Sequence, residues 1–185
     1  QQLTITASKP GYSSKSATAT VLEPTLGLNL IISPASVTGG APSTGILSIA
    51  AAVPDDLVFT LTSNNAAATV PATVTIPAGD TEVQFNIDTV LVSSDRIATI
   101  TARRGTQSAS AQLQILSPNV MALTLSPNTV RPNQTSTAFL QLDQIAPSGG
   151  IKVNISASIP GLVVIPTSVT VPTGRSTATF TVRAN

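Results

Sequence analysis

The sequence predicts an all-β chain of β-sandwiches in tandem, with a partial repeat at each end. Three observations predict it. Short runs of alternating apolar and polar residues are bounded throughout by Pro, Gly, Ser and Asn, which is the pattern of strands and turns. Val, Ile and Thr, which suit a pleated surface, fill those runs. Long segments then return in register after about 95 residues, the mark of a tandem array.

The strands of the complete repeat, residues 25–117, follow in order. "LNLII" (Leu28 to Ile32) precedes Ser33-Pro34, and "GILSIA" follows the turn "TGGAPS". "LVFTLT" follows Pro54-Asp55-Asp56, "ATVTIP" lies between Pro71 and Pro77, and "TEVQFNID" follows Gly79-Asp80. "RIATITARR" runs to Gly105 and "SASAQLQIL" to Ser117-Pro118. Seven short strands so spaced predict a sandwich. The stretches "AAAV" and "NNAAA" are too short to predict a helix. No apolar run approaches the roughly 20 residues of a membrane-spanning helix, so no membrane insertion is expected of this segment.

The repeat is read by laying the chain on itself. "LIISPASV" returns as "LTLSPNTV", "TGILSIA" as "TAFLQLD", and "LVFTLTS" as "IKVNISA". "VPATVTIPAGDTEVQFNI" returns as "IPTSVTVPTGRSTATFTV", aligning Pro71, Pro77, Gly79 and Phe85 with Pro166, Pro172, Gly174 and Phe180. A period of that length fits one immunoglobulin-like sandwich of about 100 residues. The first segment joins the same frame: "LTITASKPGYSSKSATATVLEP" matches "ATITARRGTQSASAQLQILSP", with Ile5 on Ile100, Gly11 on Gly105 and Pro24 on Pro118. Residues 1–24 are therefore expected to be the last two strands of a repeat, and residues 118–185 the first five strands of a further one. Leu3, Ile5, Ala17, Ala19 and Val21 supply the pattern that residues 118–185 lack, where missing strands would cover Val153 and Ile155. Two completions stay open: by the adjacent repeat of a longer polypeptide, or by residues 1–24 of a neighbouring chain.

Period-2 phase places Val74, Ile76, Val83, Phe85 and Ile87 inside the complete sandwich, and Val169, Val171, Ala178, Phe180 and Val182 inside the next. Phe59 falls on the same apolar phase.

Composition narrows function. Only 9% of residues are charged, against about 25% in typical globular chains, while 42% are hydrophobic, enough to build a core. Net charge is +1 and no basic cluster exceeds Arg103-Arg104, so nothing marks a nucleic-acid partner. His, Cys and Trp are absent. That removes the usual general base near neutral pH, thiol nucleophiles, disulfides and thiolate metal sites. Two carboxylates can cleave a glycoside, but that chemistry needs a cleft, and aromatics, the usual platforms for sugars, are 3% of the chain, with Tyr12 the one tyrosine. The expectation is a chain that is no enzyme, with no catalytic residue, no cofactor and no metal.

The string "ATVPATVTIPAGDTEVQFNI" followed by "ATITARRGTQSASAQLQI" resembles the immunoglobulin-like tandem repeats of bacterial cell-surface and secreted proteins. The resemblance covers essentially the whole chain. It implies a structural role outside the cell, in a stalk, an adhesin shaft or an extracellular fibre. The partners it implies are copies of the chain or adjacent repeats of one polypeptide, joined head-to-tail. Two alternatives remain: an adhesin or carbohydrate-binding module taking surface glycans, and a spacer within a large secreted enzyme. The chain departs from antibody-type domains in having no Cys pair, no core Trp, and no Tyr in the strands of the complete repeat.

Three groups of residues are candidate sites. Asp55, Asp56, Asp80, Glu82, Asp88 and Asp95 lie in or near loops, where hard oxygen ligands can hold Ca²⁺. The sister repeat puts Ser148, Gly149 and Ser176 at or near those loop positions, so the acids are read as solvated turn residues and no metal is assigned. Phe139 points outward if Leu140 and Leu142 point inward, and Ile46 holds the same place in the complete repeat. A recurring exposed apolar residue marks a contact between domains or protomers, whereas a single one needs no explanation. Asn133-Gln134-Thr135 and Asn154-Ile155-Ser156 are sequons, meaningful only if the source glycosylates Asn133 and Asn154 and otherwise chance.

Overall fold

The computed structural model describes residues 2–20 and 25–185, and among them it holds strands and turns without a helix. Strands β1 (Gln2–Ala7) and β2 (Lys15–Thr20) form a separate antiparallel hairpin. Strands β3 (Asn29–Ser33), β4 (Ser36–Thr38), β5 (Ser43–Ser48), β6 (Leu57–Ser63), β7 (Ala68–Thr69), β8 (Thr73–Ile76), β9 (Glu82–Thr89), β10 (Arg96–Arg104) and β11 (Gln107–Leu116) build a complete sandwich. Strands β12 (Val120–Ser126), β13 (Thr135–Leu142), β14 (Ile151–Asn154), β15 (Val163–Val164), β16 (Ser168–Val171) and β17 (Thr177–Ala184) build a second, open one.

The complete sandwich is immunoglobulin-like. One sheet runs β3-β5-β9-β7 and the other β4-β11-β10-β6-β8. Its neighbours are antiparallel except β4 and β11, which are parallel. Alternation sends one face of each strand inward. Leu57, Phe59 and Leu61 of β6 meet Leu47 of β5, Phe85 and Ile87 of β9, Ala98, Ile100 and Ala102 of β10, and Leu113 and Ile115 of β11. Ile76 is fully buried with them, and Val74 and Val83 pack at the margin. The count of strands exceeds the seven expected, because β4 and β7 are three and two residues long. Strands that short carry no readable alternation.

The turn between β8 and β9 shows how local chemistry sets the frame. Asp80 N–H donates to the Pro77 carbonyl at 3.0 Å, and Gly79 at the third position has φ +86°. Arg175 N–H donates to Pro172 at 3.0 Å in the same way, over Gly174 at φ +72°. A left-handed third residue favours glycine.

The second sandwich repeats several hydrogen bonds of the first. Sheets β12-β13-β17-β15 and β14-β16 correspond to β3-β5-β9-β7 and β6-β8. Ser43 Oγ donates to the Pro34 carbonyl at 2.7 Å, and Ser136 Oγ to the Pro127 carbonyl at 2.6 Å. Leu61 N–H reaches Ala72 O and Ile155 N–H reaches Thr167 O, both at 2.9 Å. Among the described residues, counterparts of β4, β10 and β11 are missing. This corrects one expectation: Val171 is buried, but Val169, Ala178, Phe180 and Val182 are only half-buried. The strand pair that would cover them is not in the sheet.

The link between the sandwiches is short and held from both sides. Ser117 donates its backbone N–H to Asp95 Oδ1 at 2.8 Å and its hydroxyl to the same oxygen at 2.9 Å. Asn119 N–H donates to Asp143 Oδ1 at 2.8 Å, and Asp143 N–H returns to Asn119 O at 3.0 Å. Pro24, aligned with Pro118, lies outside the described residues.

Candidate interaction surfaces

The second sandwich carries an open apolar trough of about 410 Å³. Leu123 and Leu125 of β12, Ile155 and Ile159 after β14, Leu162 before β15, and Phe180 of β17 form its walls. None of its lining residues is titratable. The complete sandwich shows why it is open. Leu30 and Ile32 of β3 hold the places of Leu123 and Leu125 and are each 6% exposed, because β11 packs against β3. Leu123 is 53% exposed and Leu125 44%. Strand β6 is paired on both edges, by β8 and β10, whereas β14 is paired by β16 alone among the described residues. Residues 129–131, the counterpart of β4, form no strand. In the complete sandwich β4 exists only through its parallel pairing with Gln114–Leu116 of β11.

The hairpin β1–β2 presents an exposed surface. Every residue of both strands is exposed, including Leu3 and Ile5. Its register is that of β10–β11: Leu3↔Ala19, Ile5↔Ala17 and Thr6↔Ser16 match Ala98↔Leu113, Ile100↔Ala111 and Thr101↔Ser110. A side-chain bond recurs as well, Thr6 Oγ1 to Ser16 Oγ and Thr101 Oγ1 to Ser110 Oγ, each 2.8 Å. The turn closes with Tyr12 N–H on Lys9 O at 3.0 Å, and Lys9 Nζ stands 4.8 Å from the Tyr12 ring centre. Ala98, Ile100 and Leu113 are fully buried where Leu3 and Ile5 stand in solvent. Val21, the last apolar residue of the pattern, lies outside the described residues.

The other candidate residues do not converge. Phe139 stands on the outer face of β13, 48% exposed, between Thr124 and Thr179 of the neighbouring strands. Ile46 holds the same place on the outer face of β5, half-buried, flanked by Ile31 of β3 and Gln84 of β9. Threonines flank Phe139 in the register, whereas longer side chains flank Ile46. Asp56 Oδ1 accepts Ala78 N–H at 2.8 Å and Asp95 is committed to Ser117. The bond from Ser117 N–H, then that from its hydroxyl, holds the Asp95 carboxyl below the ordinary value. No three acidic side chains are grouped to hold a metal ion among the described residues. Asn133, at φ 68°, accepts a bond from Arg183 Nη2 at 3.2 Å, and Asn154 is exposed on β14. Sequence reading did not single out Ile159 and Leu162 of the trough, because "ASIPGLVVI" lacks the alternation that reveals a core position.

No family model and no curated protein matches the chain. Among solved structures it is similar to the D00-D0 domain of Intimin, at 14% sequence identity and a TM-score of 0.36, over 85% of this chain and 86% of that one.

Proposed function

We propose that the chain is a structural repeat segment of an extracellular bacterial filament or cell-surface stalk. The observation that carries this reading is the recurrence of one sandwich frame across a link of three residues, Ser117 to Asn119, tied to the first sandwich by Asp95 and to the second by Asp143. Such a link transmits orientation from one unit to the next. In arrays of this kind each unit contacts only its neighbours, so length is added without a new core. The open sandwich is completed by a strand pair of the same frame, and the partners are further copies of that frame. The reading assigns no catalytic step, cofactor or metal.

The test is immunogold electron microscopy of thin-sectioned source cells with an antibody raised against residues 25–117. Label on surface threads or on the cell envelope is the expected result. Label confined to the cell interior refutes the reading.

A further inference from the structure

We infer that the chain docks face to face on a second copy of itself. The outer face of sheet β3-β5-β9-β7 in one molecule stacks on the outer face of sheet β12-β13-β17-β15 in another. The inference goes beyond the stalk reading, because it rests on two sheet faces and its test reads self-association rather than cellular location.

The two faces share one frame but carry opposite charge. Asp80, in the turn before β9, and Asp88, near the end of β9, bracket that strand. Arg175 and Arg183 stand at the same places around β17, each 95 residues further on. All four side chains are exposed, and Glu82 adds a third acid to the first face. The strands of the first sheet contain no Lys or Arg, and those of the second contain no Asp or Glu. Among the described residues no side-chain bond holds Asp80, Asp88 or Arg175, and Arg183 gives one, to Asn133 Oδ1. These charges are therefore open to a partner.

Between its charges each face has an apolar centre. Gln84, midway from Asp80 to Asp88, stands opposite Ile46, and Ile46 opposite Ile31. Thr179, midway from Arg175 to Arg183, stands opposite Phe139. Ile31 and Phe139 are each about half exposed. An apolar centre inside a charged rim is the anatomy of a protein interface. With the centre midway, the partner strand can run in either direction and still set Arg against Asp. Two copies of one face would set like charges together, so each face selects the other.

The length of the link requires a second molecule. Strand β11 lies in the sheet behind β3-β5-β9-β7, and stacked sheets are about 10 Å apart. Stacking the two faces within one chain would put β12 two layers from β11, about 20 Å away. The backbone from Leu116, which ends β11, to Val120, which begins β12, reaches only about 14 Å. The footprint is roughly 14 Å by 26 Å, about 370 Å² a side, from strand spacing and rise. One such contact is weak, and many along an array reinforce one another.

Sedimentation velocity of the chain from about 10 μM to about 1 mM tests the contact, the range a footprint of this size calls for. Concentration-dependent self-association is expected, weaker by at least about tenfold when salt rises from about 20 mM to about 500 mM. Asp80→Arg/Asp88→Arg alone and Arg175→Asp/Arg183→Asp alone should each lose association by about tenfold or more, since like charges then face each other. Mixing the two variants should restore it, because the reversed face of each meets an opposite face of the other, and unfolded chains could not do so. Absence of self-association in the unaltered chain overturns the inference. So does association indifferent to both salt and charge reversal, the behaviour of strand edges joining through backbone bonds. A mixture of folded variants that associates no better than either alone also overturns it.

Discussion

Phe85→Ala and Phe180→Ala remove the same ring from corresponding strand positions, yet the structure assigns them different losses. Phe85 is buried, opposite Gly45 on β5, and its deletion leaves a closed cavity. A loss of about 3–5 kcal/mol follows, the transfer term plus the cavity term. Phe180 is half-buried against Ala138 and lines the trough, so its place refills with water. About half of the 1.5–3 kcal/mol transfer term applies, roughly 1 kcal/mol, with no closed cavity to add. Urea titration read by hydrogen-exchange mass spectrometry separates the two, because peptides from β9 and β17 report each sandwich independently. In dilute protein the expected order is a large loss at Phe85 and a small one at Phe180. Equal losses in dilute protein, or a Phe85 loss under about 1 kcal/mol, would refute the burial argument.

Other perturbations probe the link, the core and the loops. The folded-state pKa of Asp95 is depressed by its bonds from Ser117, so the stability of that anchor is present above the ordinary carboxylate range and is lost as pH falls through the lower folded value. The amide order parameter of Ser117 should therefore drop at acid pH, and Asp95→Ala should reproduce the drop at pH 7; an unchanged value in both would dismiss the anchor. Gly45→Ala would drive a methyl group into the Phe85 ring and should cost about 1–3 kcal/mol by overpacking, read as a lower urea midpoint for the complete sandwich. A neutral result would mean that the ring turns aside freely. EDTA should leave the melting temperature unchanged, since no acidic triplet is grouped among the described residues. A fall of many degrees, reversed by Ca²⁺, would locate a metal in those loops.

The long strands were legible because alternation over six or more residues fixes which face is buried. Leu140 and Leu142 inward with Phe139 outward follows from phase alone, and so does the burial of Phe59 and Phe85. Strands β4 and β7 were not legible, since each is stabilised by a distant partner rather than by its own pattern. Residues 129–131 make the point: Thr129 and Val130 match Ser36 and Val37 closely, yet 36–38 is strand and 129–131 is not. For the candidate surfaces, the strands of the hairpin and of the second sandwich were visible as alternating runs. The trough's shape was not, because Ile159 and Leu162 stand in an irregular segment where burial depends on the folded path. The half-burial of Ile46 likewise depends on neighbours in other strands, which its own strand does not encode.

The parallel pairing of β4 with β11 has a kinetic consequence. It joins Val37 to Ile115, near the beginning and the end of one repeat, about eighty residues apart in sequence. Contacts of such separation incur their loop-closure entropy before they return any packing, and they form late. A repeat of this design stays an open half-sandwich until its last hairpin arrives, and only then does the β4 segment acquire a partner. Closure is thus the final step of folding for residues 25–117, timed by the emergence of β10 and β11.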